Sequence, residues 1–282
     1  MTVREALKEG RKLLSEYQPD SPALDVSLIL SSLMKITREK LYMIPDKSLD
    51  KNISDDFFKA LDRRVSGEPV AWITGKKEFY GIDIYVGPGV LCPRPDTEIL
   101  VEAVINEFSE RKNADIKLHD CCCGPGTITA AIYTNFPGWE ISASDISGSA
   151  EKYFHINNKK TAEGKIKFIK ADLLSGIKGM FNIITANPPY LTPEDTENKI
   201  KNKGWKEPSL ALDGKDSDGL GLIRKLIPQV YRHLYSGGVF FMEADPFQMP
   251  IITNMLENNG FTDISVIKDL AGMERVIRAG VL

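Results

Sequence analysis

Cysteine is scarce in this chain and poorly placed for cross-linking: 282 residues contain four, Cys92 and the consecutive run Cys121, Cys122 and Cys123. Neighbours in sequence rarely bridge, and no CxxC or Cys/His spacing occurs, so neither a disulfide framework nor a zinc site is expected; the cysteines read as reduced thiols and no metal is predicted. Charge of one sign is also missing. Lysine and arginine number 36 against 39 aspartates and glutamates, with a sequence pI near 5.8, which does not describe a surface that coats nucleic acid. No apolar run is long enough to span a bilayer, and the first residues, Met1 to Glu5, open an amphipathic pattern that includes acid, so a cytoplasmic protein is expected. Internal repeats and low-complexity tracts are absent too. The length predicts one large core with a smaller accessory unit.

Helical periodicity comes first. Thr2 and Glu5 have capping-box spacing, and Val3, Ala6, Leu7, Gly10 and Leu14 recur on one face. Ser21-Pro22 supplies an N-cap and an N1 proline for a second helix, and a third is expected after Ser54, carrying Phe57, Phe58, Leu61 and Val65 and ended by Gly67. Residues 1–75 thus form a small helical domain, with 12 basic and 12 acidic side chains that name no chemistry. From Glu78 to Val86 the pattern alternates, with Ile82, Ile84 and Val86 on one side, and Gly87-Pro88-Gly89 turns the chain, so residues 76–95 read as a β-hairpin linker.

After Asp96 a helix leads into alternating strands and helices, with strands expected at 116–120, 139–145, 166–169 and 181–186. Such alternation implies a parallel sheet covered on both faces. A last helix from Pro246 to Asn259 precedes strand-like runs at 264–267 and 275–279, which must be antiparallel because so short a connection joins them. Residues 96–282 form the second, α/β domain. Leu191 to Ser217 reads as one long irregular stretch, with Lys199, Lys201, Lys203 and Lys206 available to grip a substrate or simply to face solvent.

Three features carry chemistry. Asp120 to Gly126 closes the first strand of the α/β domain and opens a helix at Thr127; in such a turn glycines let the backbone approach a ligand, and the helix start offers free amide donors. Asp145, 19 positions after Gly126 and at the end of the next strand, can accept from both ribose hydroxyls of an adenosine. Asp172 can accept from an adenine amino group while Leu173 packs on the ring. A nicotinamide enzyme shares these features, and the fourth strand separates the two readings, because it ends in Asn187-Pro188-Pro189-Tyr190. Methylating an amide nitrogen requires both N–H bonds to be held and the lone pair aimed at a sulfonium methyl. Asn187 can offer its side-chain oxygen and Pro188 its carbonyl, while Tyr190 can stack on the flat amide.

With these residues the chain resembles the bacterial peptide chain release factor glutamine N5-methyltransferases, the HemK/PrmC family, over nearly its whole length. The resemblance rests on Glu68 to Gly75, Glu78 to Gly81, Val90 to Glu98, Asn187 to Tyr190, Glu207-Pro208, Ala211-Leu212 and Asp218 to Leu220. It implies a Rossmann-like, seven-stranded class I methyltransferase sheet. It also implies S-adenosylmethionine held by Cys122, Cys123, Gly124, Pro125, Gly126, Asp145, Asp172, Leu173 and Asn187. The target glutamine, in the Gly-Gly-Gln motif of a release factor, is then gripped by Asn187, Pro188, Pro189 and Tyr190, with the helical domain helping to recognise a factor that a monomeric enzyme engages. The family pattern has glycine at position 122 and a small or polar residue at position 125, so Cys122 and Pro125 depart from it. If position 122 needs a positive φ, strain on the order of 1 kcal/mol or more is expected there, with a slightly shifted backbone to absorb it. Three other readings stay open: a glutamine methyltransferase of a ribosomal protein, an enzyme acting on an exocyclic amine of a DNA or RNA base, and a non-catalytic binding protein on the same fold. The Pro95-Asp96-Thr97 run argues against the first, the charge balance against the second and the intact Asn187 to Tyr190 against the third.

Overall fold

Helix α1 (Val3–Ser15) starts at a complete capping box, Glu5 N donating to the Thr2 hydroxyl and Thr2 N to the Glu5 carboxylate, in this computed structural model, which describes residues 1–17, 21–112, 114–202 and 204–282. Val3, Ala6, Gly10 and Leu14 are its buried face, as the periodicity requires. Helix α2 (Pro22–Met34) has its proline in the first turn, but the Ser21 side chain makes no capping hydrogen bond. Helix α3 (Arg38–Met43) is capped by Thr37. Helix α4 (Lys51–Val65) begins after Asp50, so Ser54 lies inside it rather than ahead of it; Ile53 already packs on the helical core, which draws the earlier residues into the helix. Short helix α5 (Val70–Thr74) ends at Gly75, whose φ of +80° suits only glycine well. Phe57, Leu61, Leu14, Ile29, Leu30 and Leu41 fill the core of this bundle.

Strands β1 (Lys76–Phe79) and β2 (Ile82–Tyr85) form a hairpin in the linker, but it turns at Tyr80-Gly81, inside the stretch expected to be strand, and not at Gly87-Pro88-Gly89; Tyr80 and Gly81 both take positive φ there, which makes the turn. A 3-10 turn, Pro95–Thr97, leads into α6 (Glu98–Phe108). The alternation then runs β3 (Lys117–Cys121), α7 (Thr127–Asn135), β4 (Glu140–Asp145), α8 (Gly148–Ala162), β5 (Lys167–Lys170) and β6 (Phe181–Ala186). Next come α9 (Pro193–Glu197), α10 (Gly221–His233), β7 (Leu234–Glu243), α11 (Met249–Asn258), β8 (Thr262–Lys268) and β9 (Glu274–Gly280). The stretch from 191 to 217 is less irregular than its composition suggests, holding α9, a π-helical turn at Asn198–Asn202 and a 3-10 turn at Ser209–Ala211; Lys203 lies outside the described residues.

The seven strands are ordered β5-β4-β3-β6-β7-β9-β8, all adjacent pairs being parallel except those that β9 makes with β7 and β8. The order in which strands are added reverses at β3, since β4 and β5 lie on one side of it and β6 and β7 on the other, and this is the position at which such sheets leave a crevice beyond the strands' carboxyl ends. One apolar layer, with Phe136, Trp139 and Phe154, lies under α6, α7 and α8; the other, with Ile223, Leu226 and Phe240, lies under α10 and α11. No described helix is long and apolar enough to cross a membrane.

Candidate active site

A cavity of about 270 Å³ opens at that reversal point. Its floor is the turn after β3, where Cys122, Gly124 and Gly126 all take positive φ, of 58°, 53° and 84°. A Cβ at Gly124 would meet no atom within 4 Å, so its backbone presents an open face to the cavity, whereas Gly126 stands back from it and serves packing: a Cβ there would lie 2.8 Å from the Phe154 ring. The turn is tied down from two sides. Cys123 N donates to the Ser144 carbonyl at 3.0 Å, and the buried Asn157 amide donates to the carbonyls of Pro125 and Tyr85 at 2.8 and 2.9 Å, fastening the hairpin to the turn.

Asp145, at the end of β4, forms the next wall. Its carboxylate accepts from Gly124 N at 2.8 Å and Ser147 N at 2.9 Å, while Ser147 itself caps α8. Burial raises its pKa, and the backbone donors pull the other way. Beyond β5, Ala171, Asp172 and Leu173 line the cavity; Asp172 is exposed and Leu173 buried, with a φ of +54°.

Asn187 and Pro189 complete the cavity after β6; Pro188 is buried behind them. Asn187 Nδ2 donates to Thr97 Oγ1 at 3.1 Å, which leaves the Oδ1 end of the amide as an acceptor. Among the described residues no donor reaches the Pro188 carbonyl. The Tyr190 ring is set back from the cavity, its hydroxyl donating to Glu243 Oε1 at 3.2 Å. Burial, and then the Glu243 charge, push its pKa up. Gln248 Nε2 donates to the carbonyls of Tyr190 and Asp218, at 2.8 and 2.9 Å, and so holds the end of the tetrapeptide.

The remaining walls are the segment from Gly89 to Arg94, with Thr97, and the stretch from Pro208 to Leu222, which brings Asp213 and Lys215 to the cavity. Glu207, only 5% exposed, anchors the first of these by accepting from Cys92 N at 2.9 Å and pairing with Arg94. Arg94 also lies over the Trp205 ring, 5.2 Å from its centroid, and Lys199 Nζ lies 4.4 Å from the centroid of the same ring, so this lysine is engaged with the protein's own loop; Lys201 pairs with Glu197, and Lys206 is exposed.

The profile of the PrmC N-terminal domain matches residues 5–75, and that of the methyltransferase small domain matches residues 88–215. A release factor glutamine methyltransferase of Koribacter versatilis is 34% identical over 98% of this chain and 98% of its own, and one of Clostridium acetobutylicum is 33% identical over 99% and 98%. The chain belongs to the release factor glutamine methyltransferase family. Among solved structures, a methyltransferase from Pyrococcus furiosus aligns with TM-score 0.53 and 14% identity, covering 82% of this chain and 100% of that one. A T. thermophilus 16S rRNA methyltransferase solved with AdoMet and guanosine aligns with TM-score 0.53 and 18% identity, covering 73% and 50%; at these identities both show the fold alone.

As a member of this family the chain uses S-adenosylmethionine, and the site fits that group: the open backbone at Gly124, the carboxylate of Asp145 beside it and the apolar wall of Leu173 and Ile128 suit the amino acid, ribose and adenine parts in turn. Position 122 does take a positive φ, so the backbone keeps the left-handed geometry with cysteine in place and does not shift out of it. For an L-residue with a Cβ that conformation costs roughly 1 kcal/mol or more. Part of this returns as unfolded-state entropy when glycine is introduced, so Cys122→Gly is expected to raise stability by about 0.5–1 kcal/mol and the melting temperature by about 1–4 °C. Calorimetry of the two proteins checks this, and a lower melting temperature shows that the cysteine's packing outweighs the strain.

Four contributors escaped the sequence reading: Thr97, Glu243, Asn157 and Asp120. Asp120 was legible only as a strand end, yet it is fully buried, accepts from the Thr185 hydroxyl at 2.8 Å, and has a second oxygen with no partner among the described residues. Burial pushes its pKa up to about 8, so the folded protein holds a proton that the unfolded chain releases above an ordinary aspartate value of 3.8. Native protein then binds more protons than unfolded protein across this window, and stability falls as pH rises from about 4 to about 8. Asp120→Asn copies the neutral acid and keeps the acceptor for Thr185. Its denaturant midpoint should gain on the wild type from pH 5 to pH 8; a constant difference over that range shows Asp120 already ionised.

Proposed function

We propose that this chain transfers a methyl group from S-adenosylmethionine to the side-chain amide nitrogen of the glutamine in the Gly-Gly-Gln motif of a peptide chain release factor. The observation that carries the reading is the anchored Asn187 amide at the cavity mouth: its nitrogen is committed to Thr97 and its oxygen is available. An acceptor-only end next to a second acceptor that has no donor among the described residues, the Pro188 carbonyl, suits a group that presents two N–H bonds, as a primary amide does. Relatives named as release factor glutamine methyltransferases over nearly the full length support the choice of substrate.

The methyl donor supplies an activated sulfonium methyl group; the chain supplies placement. Cys122 to Pro125 and Asp145 hold the donor at the reversal point, with Asp172 and Leu173 at its adenine end. Asn187 Oδ1 and the Pro188 carbonyl accept the two amide hydrogens, which stabilises the positive charge that develops on nitrogen as its lone pair leaves conjugation. Pro189 keeps the two acceptors at a fixed separation because its ring restricts the backbone. Tyr190, held by Glu243, stands behind them and backs the tetrapeptide rather than lining the cavity.

In this reading residues 96–282 bind the donor, residues 76–95 link the units, and residues 1–75 recognise the substrate protein as a monomeric, cytoplasmic enzyme. A groove of about 1280 Å³, running from Leu28, Lys35 and Val70 of the helical part to Lys77, Arg94 and Trp205, leaves room for a protein loop beside the cavity. Peptide mass spectrometry of a purified release factor, incubated with the enzyme and S-adenosylmethionine, tests the proposal. One methyl group on the Gly-Gly-Gln glutamine is expected. No methyl group, with donor binding measured, redirects the substrate to a ribosomal protein or a nucleic-acid base.

A further inference from the structure

An asparagine amide fits its site almost equally well in two orientations that differ by 180° and exchange an acceptor for a donor. Only one of them suits Asn187 in the reading above, on which the present inference rests, so something must select it. Thr97, which touches the amide, cannot do so alone, because a hydroxyl donates one hydrogen and also accepts.

Glu243 resolves this ambiguity. It ends β7, is 1% exposed, and receives the Tyr190 hydroxyl at 3.2 Å. Its other oxygen, Oε2, is buried and has no hydrogen-bond partner among the described residues, and the neighbouring Thr97 hydroxyl acts to favour the ionised carboxylate. Arg275 of β9 adds positive charge from the neighbouring strand, held by Asp269 at 3.1 Å and Asp96 at 3.6 Å. A carboxylate only accepts. The single Thr97 hydrogen is therefore drawn toward Glu243, the hydroxyl lone pairs face Asn187, and only the NH2 end of the amide can sit against them.

We infer that Glu243 is a positioning residue for methyl transfer: acting through Thr97 and Tyr190, it holds the Asn187 oxygen toward the target amide. The groups around it are Tyr190 after β6, Thr97 and Asp96 before α6, and Arg275 on β9, with Asp245 and Asp269 one contact further out. Burial raises the pKa of Glu243. Once protonated, the carboxyl can donate to Thr97, whose hydrogen then turns to Asn187 and favours the opposite amide orientation. Turnover should accordingly fall on acidification, with a midpoint above that of an ordinary glutamate.

The test compares wild type with Glu243→Gln, Thr97→Val and Thr97→Ser. For Glu243→Gln, kcat should fall by at least about ten-fold with donor affinity within about two-fold, and the acid limb of the kcat profile should vanish. Thr97→Val should behave as Glu243→Gln does, and Thr97→Ser should retain kcat within about three-fold. Amide orientation is read without turnover by NMR of protein labelled with ¹⁵N-asparagine: the Asn187 NH2 protons should show a contact to the Thr97 methyl group in the wild type that weakens in Glu243→Gln. An unchanged contact and an unchanged pH profile in Glu243→Gln overturn the inference, whatever kcat does, because they make Glu243 a purely structural residue. A wild type that shows the contact but methylates no release factor overturns the substrate reading and leaves the orientation mechanism standing.

Discussion

Asn187→Ala abolishes most methyl transfer: kcat is expected to fall by about 10²–10³-fold, the usual cost of deleting one aligned group that stabilises developing charge in a closed site. Asp213 also lines the cavity after β6, but its carboxylate is paired with Lys215; Pro188 contributes backbone and Tyr190 is turned to Glu243, so the Asn187 amide is the neutral acceptor that this part of the site offers. The deletion also removes the donor to Thr97, but Thr97 keeps Glu243 as its neighbour, so the fold should lose little. Donor affinity, measured by calorimetric titration, should stay within about three-fold of the wild type, because the turn after β3 and Asp145 are untouched. Turnover close to that of the wild type removes Asn187 from the mechanism.

Asp145→Ala acts on the other half of the site. Two hydrogen bonds from ribose hydroxyls to a half-buried carboxylate, at about 1.5 kcal/mol each, amount to about 3 kcal/mol, or roughly a 100-fold weaker dissociation constant for S-adenosylmethionine. The same carboxylate orders Gly124 N and Ser147 N, so the variant also leaves two backbone donors without their acceptor. Thermal unfolding without donor separates the two effects. A stability loss of about 1–3 kcal/mol belongs to the turn, and weakened binding beyond it belongs to the ribose contacts. If titration at saturating donor shows an unchanged dissociation constant, Asp145 is a structural residue of the turn only.

These two residues were readable in the sequence because each follows a strand whose composition announces its end. Phe181 to Ala186 is a run of apolar and β-branched residues stopped by two prolines, and Glu140 to Asp145 leads into a helix cap at Ser147. Local physics sufficed there. It failed for α10, which carries Pro228 in its interior, and for β7, whose first half contains Gly237 and Gly238; both patterns argue locally against the element that forms. Burial of Ile223, Leu226, Val230 and Phe240 against the sheet overrides those preferences. Ser54 misled for a related reason, since the packing of Ile53 extends α4 toward Asp50 ahead of the serine.

The sequence by itself determined the alternation of strands and helices, the glycine-rich turn with its odd cysteine, the acid that ends β4 and the Asn-Pro-Pro-Tyr end of β6, because each is a statement about neighbouring residues and their backbone freedom. Only the tertiary structure decided how those groups are aimed. Thr97 meets Asn187 from 90 residues away and Glu243 meets Tyr190 from 53, and the Asp120 carboxyl becomes a buried acid only once β4 and β6 flank it. Hydrogen-bond direction and the cost of burying charge depend on who stands opposite in space, and that is set by the packing of the sheet rather than by the order of the chain.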